Sequence, residues 1–191
     1  MKVETRRTPA RHRFTAADFE RMGQIGILPE GSGYELIDGE VLRMNPIGDR
    51  HAEVTDRLAV LLIRALPAAF VVRVANPLVG LDPHWEPQPD LVIQRGSLRS
   101  RPTPQDAVMV IEVADTTLAF DRGVKLPAYA AAGIPEVWLI DLMRNEVFVH
   151  RAPEGDTYRW VMAKGCWEQL APQALPDLSL PVDEILGDPV P

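Results

Sequence analysis

The sequence holds one cysteine, three lysines and no apolar run long enough to cross a bilayer. A lone cysteine forms neither an internal disulfide nor a thiolate zinc cage. Cys166, between Gly165 and Trp167, reads as a small buried filler. The longest apolar stretch, Leu58 to Val72, is broken by Arg64 and Pro67. It falls short of the roughly 20 residues of a membrane helix. No apolar signal core follows the first residues, so a soluble cytoplasmic protein without membrane contact is expected. Positive charge is also scarce. Twenty Lys and Arg face 27 Asp and Glu, for a net charge of −7, which argues against a general nucleic-acid coat protein. The four histidines, at 12, 51, 84 and 150, form no His-Glu-x-x-His pair. Gly-rich phosphate loops and the Gly-x-Ser-x-Gly elbow of serine hydrolases are missing too.

What is present is a chain of 191 residues, 46% apolar. That suits one globular domain and is too apolar for disorder. Residues 1–13 carry five basic side chains and one acidic one, so they read as a basic, flexible tip. Residues 14–191 read as one domain.

The element pattern is mixed. Thr15 with Asp18 marks a helix start. Tyr34–Ile37 and Glu40–Met44 flank Asp38-Gly39, the signature of a type I′ hairpin. Apolar residues at 54, 58, 61, 62 and 65 have helical spacing. Strands are expected over 70–74, 78–81, 91–93 and 108–114, the last apolar enough to be buried on both faces. A helix near Val124, with Pro127 in its first turn, ends at Gly133. Hairpins follow over 136–150 and 158–170, the latter turning at Lys164-Gly165, then one helical turn near 183–186. Helices interspersed with a mixed sheet give an α/β (α+β) fold.

Glu112 interrupts the most apolar strand. A carboxylate there is costly unless it is paired or binds a metal. Pro89-Asp90 opens the preceding strand. If the two strands pair, Asp90 and Glu112 lie together at one sheet end, where two hard carboxylates form an open Mg²⁺ (or Mn²⁺) site. Lys125, the only lysine between residues 3 and 163, starts the next helix and can reach back over that end. Its ammonium can orient water or stabilise a developing phosphate charge. The bland readings are a strand-end ion pair for Glu112, a turn for Asp90 and a solvent-facing Lys125.

The order Pro89-Asp90, Glu112-Val113-Ala114, Lys125 resembles the PD-(D/E)XK nuclease superfamily. The surrounding blocks are Tyr34–Glu40, His51, Val110–Asp115, Asp121–Tyr129 and Ala132–Asp141. Over roughly residues 14–186 they resemble the Uma family of restriction-endonuclease-like proteins. The chain departs from the superfamily pattern in one place: Ala114 stands where Glu-x-Lys puts lysine, and Lys125 takes that role from the next helix. The resemblance implies a restriction-endonuclease-like core carrying a metal-dependent endonuclease for DNA, with RNA left open. Asp90 and Glu112 would hold the cation, Lys125 would assist the attacking water, and Glu40 and His51 would help. Glu35 ranks below Glu40. Arg50, Arg57 and Arg122 are candidate phosphate contacts, and a homodimer would supply two sites for two strands. The competing readings are a catalytically silent nucleic-acid-binding or assembly module on the same fold, and a glycosidase using Asp90 and Glu112 as an acid–base pair.

Overall fold

A computed structural model describes residues 10–29, 31 and 33–187. Most of the basic tip, residues 1–9, lies outside the described residues. The fold is a mixed α/β arrangement around a six-stranded sheet. No helix among the described residues is long and apolar enough to cross a membrane.

The chain opens with helix α1 (Ala16–Gln24), capped by the reciprocal Thr15–Asp18 box that its sequence announces. Strands β1 (Tyr34–Ile37) and β2 (Glu40–Arg43) then form a separate hairpin. Asp38 and Gly39 both take positive φ, 51° and 80°, as a type I′ turn requires. Helix α2 (Asp49–Ala65) buries Val54, Leu58 and Leu62, one stripe at four-residue spacing. Its N-cap, Gly48, offers no side-chain hydrogen bond.

The main sheet runs β3-β4-β5-β6-β7-β8. Its strands are β3 (Phe70–Val74), β4 (Leu91–Arg95), β5 (Ala107–Ala114), β6 (Glu136–Asp141), β7 (Glu146–Glu154) and β8 (Thr157–Lys164). All eight residues of β5 are buried, the outcome expected of its apolar run. Alternation splits its side chains between two cores. Met109, Ile111 and Val113 pack with α2 and with helix α5 (Val182–Leu186), while Val110 faces Tyr129 and Ala130 on the opposite layer. Each fully buried aliphatic side chain contributes about 1.5–3 kcal/mol.

Two registers set what meets at the end of β5. β4 pairs antiparallel with β5, Leu91 opposite Ile111, so Asp90 and Glu112 are neighbours one step further on. β5 pairs parallel with β6, so the chain must cross over between them. The crossover is helical from Leu118 and so starts earlier than the sequence suggests. A short α3 (Leu118–Phe120) runs into a π-helical turn (Asp121–Lys125) and then α4 (Leu126–Ala131), with Pro127 at its start. The Leu126 amide bonds the Asp121 carbonyl five residues back. Pro127 has no amide hydrogen for an α-helical ladder, and the wider turn just before it is of the kind found at functional sites.

Three sequence expectations fail. Leu78–Leu81 forms no strand. Pro77 precedes the segment and prolines at 83, 87 and 89 follow it, and the Leu78 amide bonds the Pro87 carbonyl instead. No hairpin joins 158–162 to 166–170. β8 pairs with β7, whereas β9 (Gln169–Leu170) pairs with β10 (Leu180–Pro181). Cys166 is exposed, not a buried filler.

His150, on β7, is 5% exposed and its Nε2 finds no partner. Burial, helped by the Arg122 charge, lowers its pKa from 6.5 to about 4. The unfolded chain therefore takes up this proton first. The contribution is complete above pH 6.5 and is lost as pH falls towards 4. Urea unfolding should show a loss of about 2 kcal/mol from this group between pH 7.5 and 5. His150→Phe should abolish that part of the slope, and an unchanged slope would refute it.

Candidate active site

The start of β4, α2, the hairpin and the π turn converge on the end of β5 around a cavity of about 190 Å³. The acidic strand-end residues, the start of α2, the open end of the β1–β2 hairpin and the π turn each contribute. Glu35, His51, Asp90, Glu112, Asp121 and Lys125 line it.

Asp90 is anchored by the strand it precedes. Its Oδ2 accepts the Val113 amide at 2.7 Å, and its Oδ1 lies 3.1 Å from His51 Nε2. His51 reaches it from the first turn of α2, and its own Nδ1 is buried without a partner. Burial works to lower the His51 pKa, but the hydrogen bond and charge of Asp90, with Asp115 and Asp121 behind, prevail and raise it.

Glu112 points towards the crossover helix because it shares the face of Val110. There the Tyr129 hydroxyl donates to Oε1 at 2.5 Å and Lys125 Nζ stands 3.4 Å from the same oxygen. Neither contact uses Oε2. Lys125 Nζ also donates to Glu35 Oε1 at 3.2 Å and lies 3.1 Å from Glu35 Oε2. Lys125 thus points inward, under the sheet end, and not into solvent. Asp121, one turn before it, accepts the Thr117 hydroxyl at 2.6 Å.

The charges do not balance. Five carboxylates, those of Glu35, Asp90, Glu112, Asp115 and Asp121, line the cavity against Lys125 and His51. Burial pushes Glu112 well above the ordinary carboxylate range, with Lys125 opposing and Asp90 adding to the rise. Burial raises Glu35 and Asp121 as well, again against Lys125. Burial would lower Lys125, but Glu112, Glu35 and Asp121 together raise it. The ammonium therefore stays protonated, and one lysine is shared among more carboxylates than it can neutralise.

This surplus of carboxylates, three of them buried, fits a divalent cation. Among the described residues no three His, Cys, Asp or Glu side chains already form a cation cage. An ion held by Asp90 and Glu112 would keep the rest of its shell for water or substrate oxygen, as Mg²⁺ commonly does.

The structure brings together Asp90, Glu112, Lys125 and His51 from the sequence candidates. It leaves Glu40 outside. Glu40 lies beside Ile37 at the turn end of the hairpin and pairs with exposed Arg11 at 3.1 Å. Glu35, near the hairpin's open end, occupies the cavity instead. Arg50, Arg57 and Arg122 are not in it either. Arg50 donates to the Leu142 carbonyl at 2.6 Å and to Asn145, Arg57 pairs with Glu53, and Arg122 lies over the Phe148 ring. Asp121 and Tyr129 went unrecognised in the sequence. The signal was their four-residue spacing around Lys125, which puts all three on one stripe of the crossover helix.

The sequence profile of the Uma2 family, described as "Putative restriction endonuclease", matches residues 16–183. No curated protein matches the chain. Among solved structures, the crystal structure of "a putative nuclease belonging to DUF820" from Anabaena variabilis ATCC 29413 is similar with a TM-score of 0.70. It is 15% identical, over 91% of this chain and 97% of that one, a likeness that shows the shared fold.

Replacing Lys125 would leave Glu35 and Glu112 buried without their cation. Lys125→Met should cost about 3–5 kcal/mol at neutral pH. Tyr129→Phe removes one hydrogen bond to Glu112 and should cost about 1–3 kcal/mol. Urea unfolding measures both, and a neutral Lys125→Met would contradict the shared-ammonium account.

Proposed function

The chain belongs to the Uma2 family, and we propose that it is a divalent-metal-dependent endonuclease, with Mg²⁺ or Mn²⁺ as the cation and DNA as the substrate. The observation that carries this reading is the joint position of Asp90, Glu112 and Lys125 in one acidic cavity at the sheet end. Asp90 and Glu112 hold the cation. Once bound, the ion supplies Lewis-acid polarisation of a phosphodiester and makes a water molecule more acidic.

The remaining work falls to this chain's own side chains. Glu35 fixes the Lys125 ammonium beside Glu112. From there Lys125 orients the attacking water and stabilises charge that develops on the phosphoryl oxygens. His51 fixes Asp90 through Nε2, and Tyr129 fixes Glu112 through its hydroxyl. The water oxygen forms the new bond to phosphorus as the bond to the leaving sugar oxygen breaks. One water proton is released and the leaving oxygen gains one. The lysine, displaced from position 114 to 125 in sequence, thus acts from the neighbouring helix on the same carboxylate.

The test uses two covalently closed substrates, a supercoiled duplex and a circular single strand, with Mg²⁺ or Mn²⁺. The parent should linearise or nick at least one of them. Asp90→Ala and Glu112→Gln should lose roughly a hundredfold or more in rate, with circular dichroism confirming that each variant folds. Calorimetric titration of the parent with Mn²⁺ should give heat that disappears in Asp90→Ala. Equal cleavage by all variants would remove these residues from the mechanism. A folded parent that cuts neither substrate would favour the silent module.

A further inference from the structure

We propose that the substrate enters this site as an unpaired strand, with one nucleotide packed on the cavity's lip beside the scissile phosphodiester; this rests on the nuclease reading above. The depth of the site is the first reason. The side chains of Lys125 and Glu112 are 3% and 6% exposed, and those of His51 and Asp90 14% and 17%. The cavity, about 190 Å³, is smaller than the roughly 300–1,000 Å³ of pockets for drug-sized ligands. It has room for a phosphodiester and the edge of its nucleotide. A stacked base pair, held inside a duplex, cannot follow its backbone to the floor.

The lip is the second reason. Met44, Asn45, Pro46 and Ile47, the chain between β2 and α2, line the cavity with Gln88, and Asn45, Pro46 and Ile47 are exposed, as are Asp115 and Thr116 after β5. Ile47 is 64% exposed. Gln88 is held in place by its bond to the Ala75 carbonyl at 2.6 Å. Apolar surface with side-chain amides suits the face and edge of an unstacked base. It does not suit a row of phosphates.

The third reason is the placement of positive charge. Proteins that track a duplex backbone neutralise several phosphates with Lys and Arg. Among the described residues, Lys125 is the cavity's only Lys or Arg, and it lies on the floor. Arg50 and Arg57, on the helix that borders the lip, are engaged with Asn145 and Glu53. A strand that binds here is gripped at one linkage and one base, not along its length.

Three oligonucleotides of one sequence separate the possibilities: a single strand, a blunt duplex and that duplex with a central unpaired bubble, each with Mn²⁺. Unpairing a nucleotide costs a few kcal/mol. The single strand and the bubble should therefore be cut at least about tenfold faster than the blunt duplex. Cuts in the bubbled duplex should fall within the bubble. The salt dependence of KM should correspond to only about one or two phosphates. Ile47→Ser should raise KM for the single strand about fivefold, the loss of one apolar contact. A blunt duplex cut as fast as the single strand overturns the proposal and leaves the nuclease reading intact. An unchanged KM in Ile47→Ser overturns the lip's role. Failure of folded protein to cut any of the three overturns the nuclease reading and this inference with it.

Discussion

The Lys125 ammonium, held between Glu35 and Glu112 with almost no exposure to water, is the interaction on which the site depends. It joins β1 of the hairpin to two elements made some 70 residues or more later in the chain, the strand β5 and the crossover helix that follows it. Without that cation, two carboxylates so buried would have to be protonated or bear uncompensated charge. The single cation makes the arrangement tolerable without neutralising it. The same contact that lets the hairpin dock on the sheet end also turns the lysine towards Glu112, where the proposed mechanism needs it.

The surrounding fold serves to keep that contact in place. β5 is buried on both faces, so it cannot slide without moving every side chain to the wrong core. Its pairing with β4 sets Asp90 beside Glu112, and the Val113 amide then locks Asp90 in position. The π-helical turn sets Asp121 and Lys125 on the inner side of the crossover before Pro127 opens the α-helical part. Tyr129, a further turn on, reaches the same Glu112 oxygen as Lys125. Stability and function therefore pull against each other here. The cavity retains more carboxylates than its cations can satisfy, and that surplus is the feature that suits a divalent ion.

Charge also reads differently once its location is known. A net charge of −7 looks unfavourable for an enzyme acting on nucleic acid. In the structure, five of the acidic groups line one cavity, where bound metal would offset them. Many arginines, including Arg50, Arg57 and Arg151, are engaged within the protein. The exposed part of the lining, which includes Asn45, Pro46, Ile47, Asp115 and Thr116, carries no Lys or Arg. Recognition by a short, local grip follows from that distribution more naturally than recognition by a long-range field.

Much of the fold was legible in the sequence because it rests on local rules. The Thr15–Asp18 box, the Asp38-Gly39 turn, the four-residue stripe of α2 and the apolar run of β5 each specify their own element. The odd carboxylate in that run, and the lone mid-chain lysine, pointed to the site. Other features turn on contacts between distant segments. Glu35 and Glu40 are both acidic hairpin residues; only the docking of the hairpin's open end, not its turn, against the sheet puts Glu35 inside and Glu40 in solvent. The same holds for Arg50 and Arg122, whose engagements with Asn145 and Phe148 no spacing could show, whereas the Arg57–Glu53 pair at four-residue spacing and the tight β7–β8 turn at Gly155-Asp156 were local signals left unread. The sequence by itself determined which side chains were available and which elements would carry them, because helix, strand and turn are set by near neighbours. Only the tertiary structure decided the direction of Lys125, since that direction is set by the electrostatic demand of two buried carboxylates contributed by other parts of the chain.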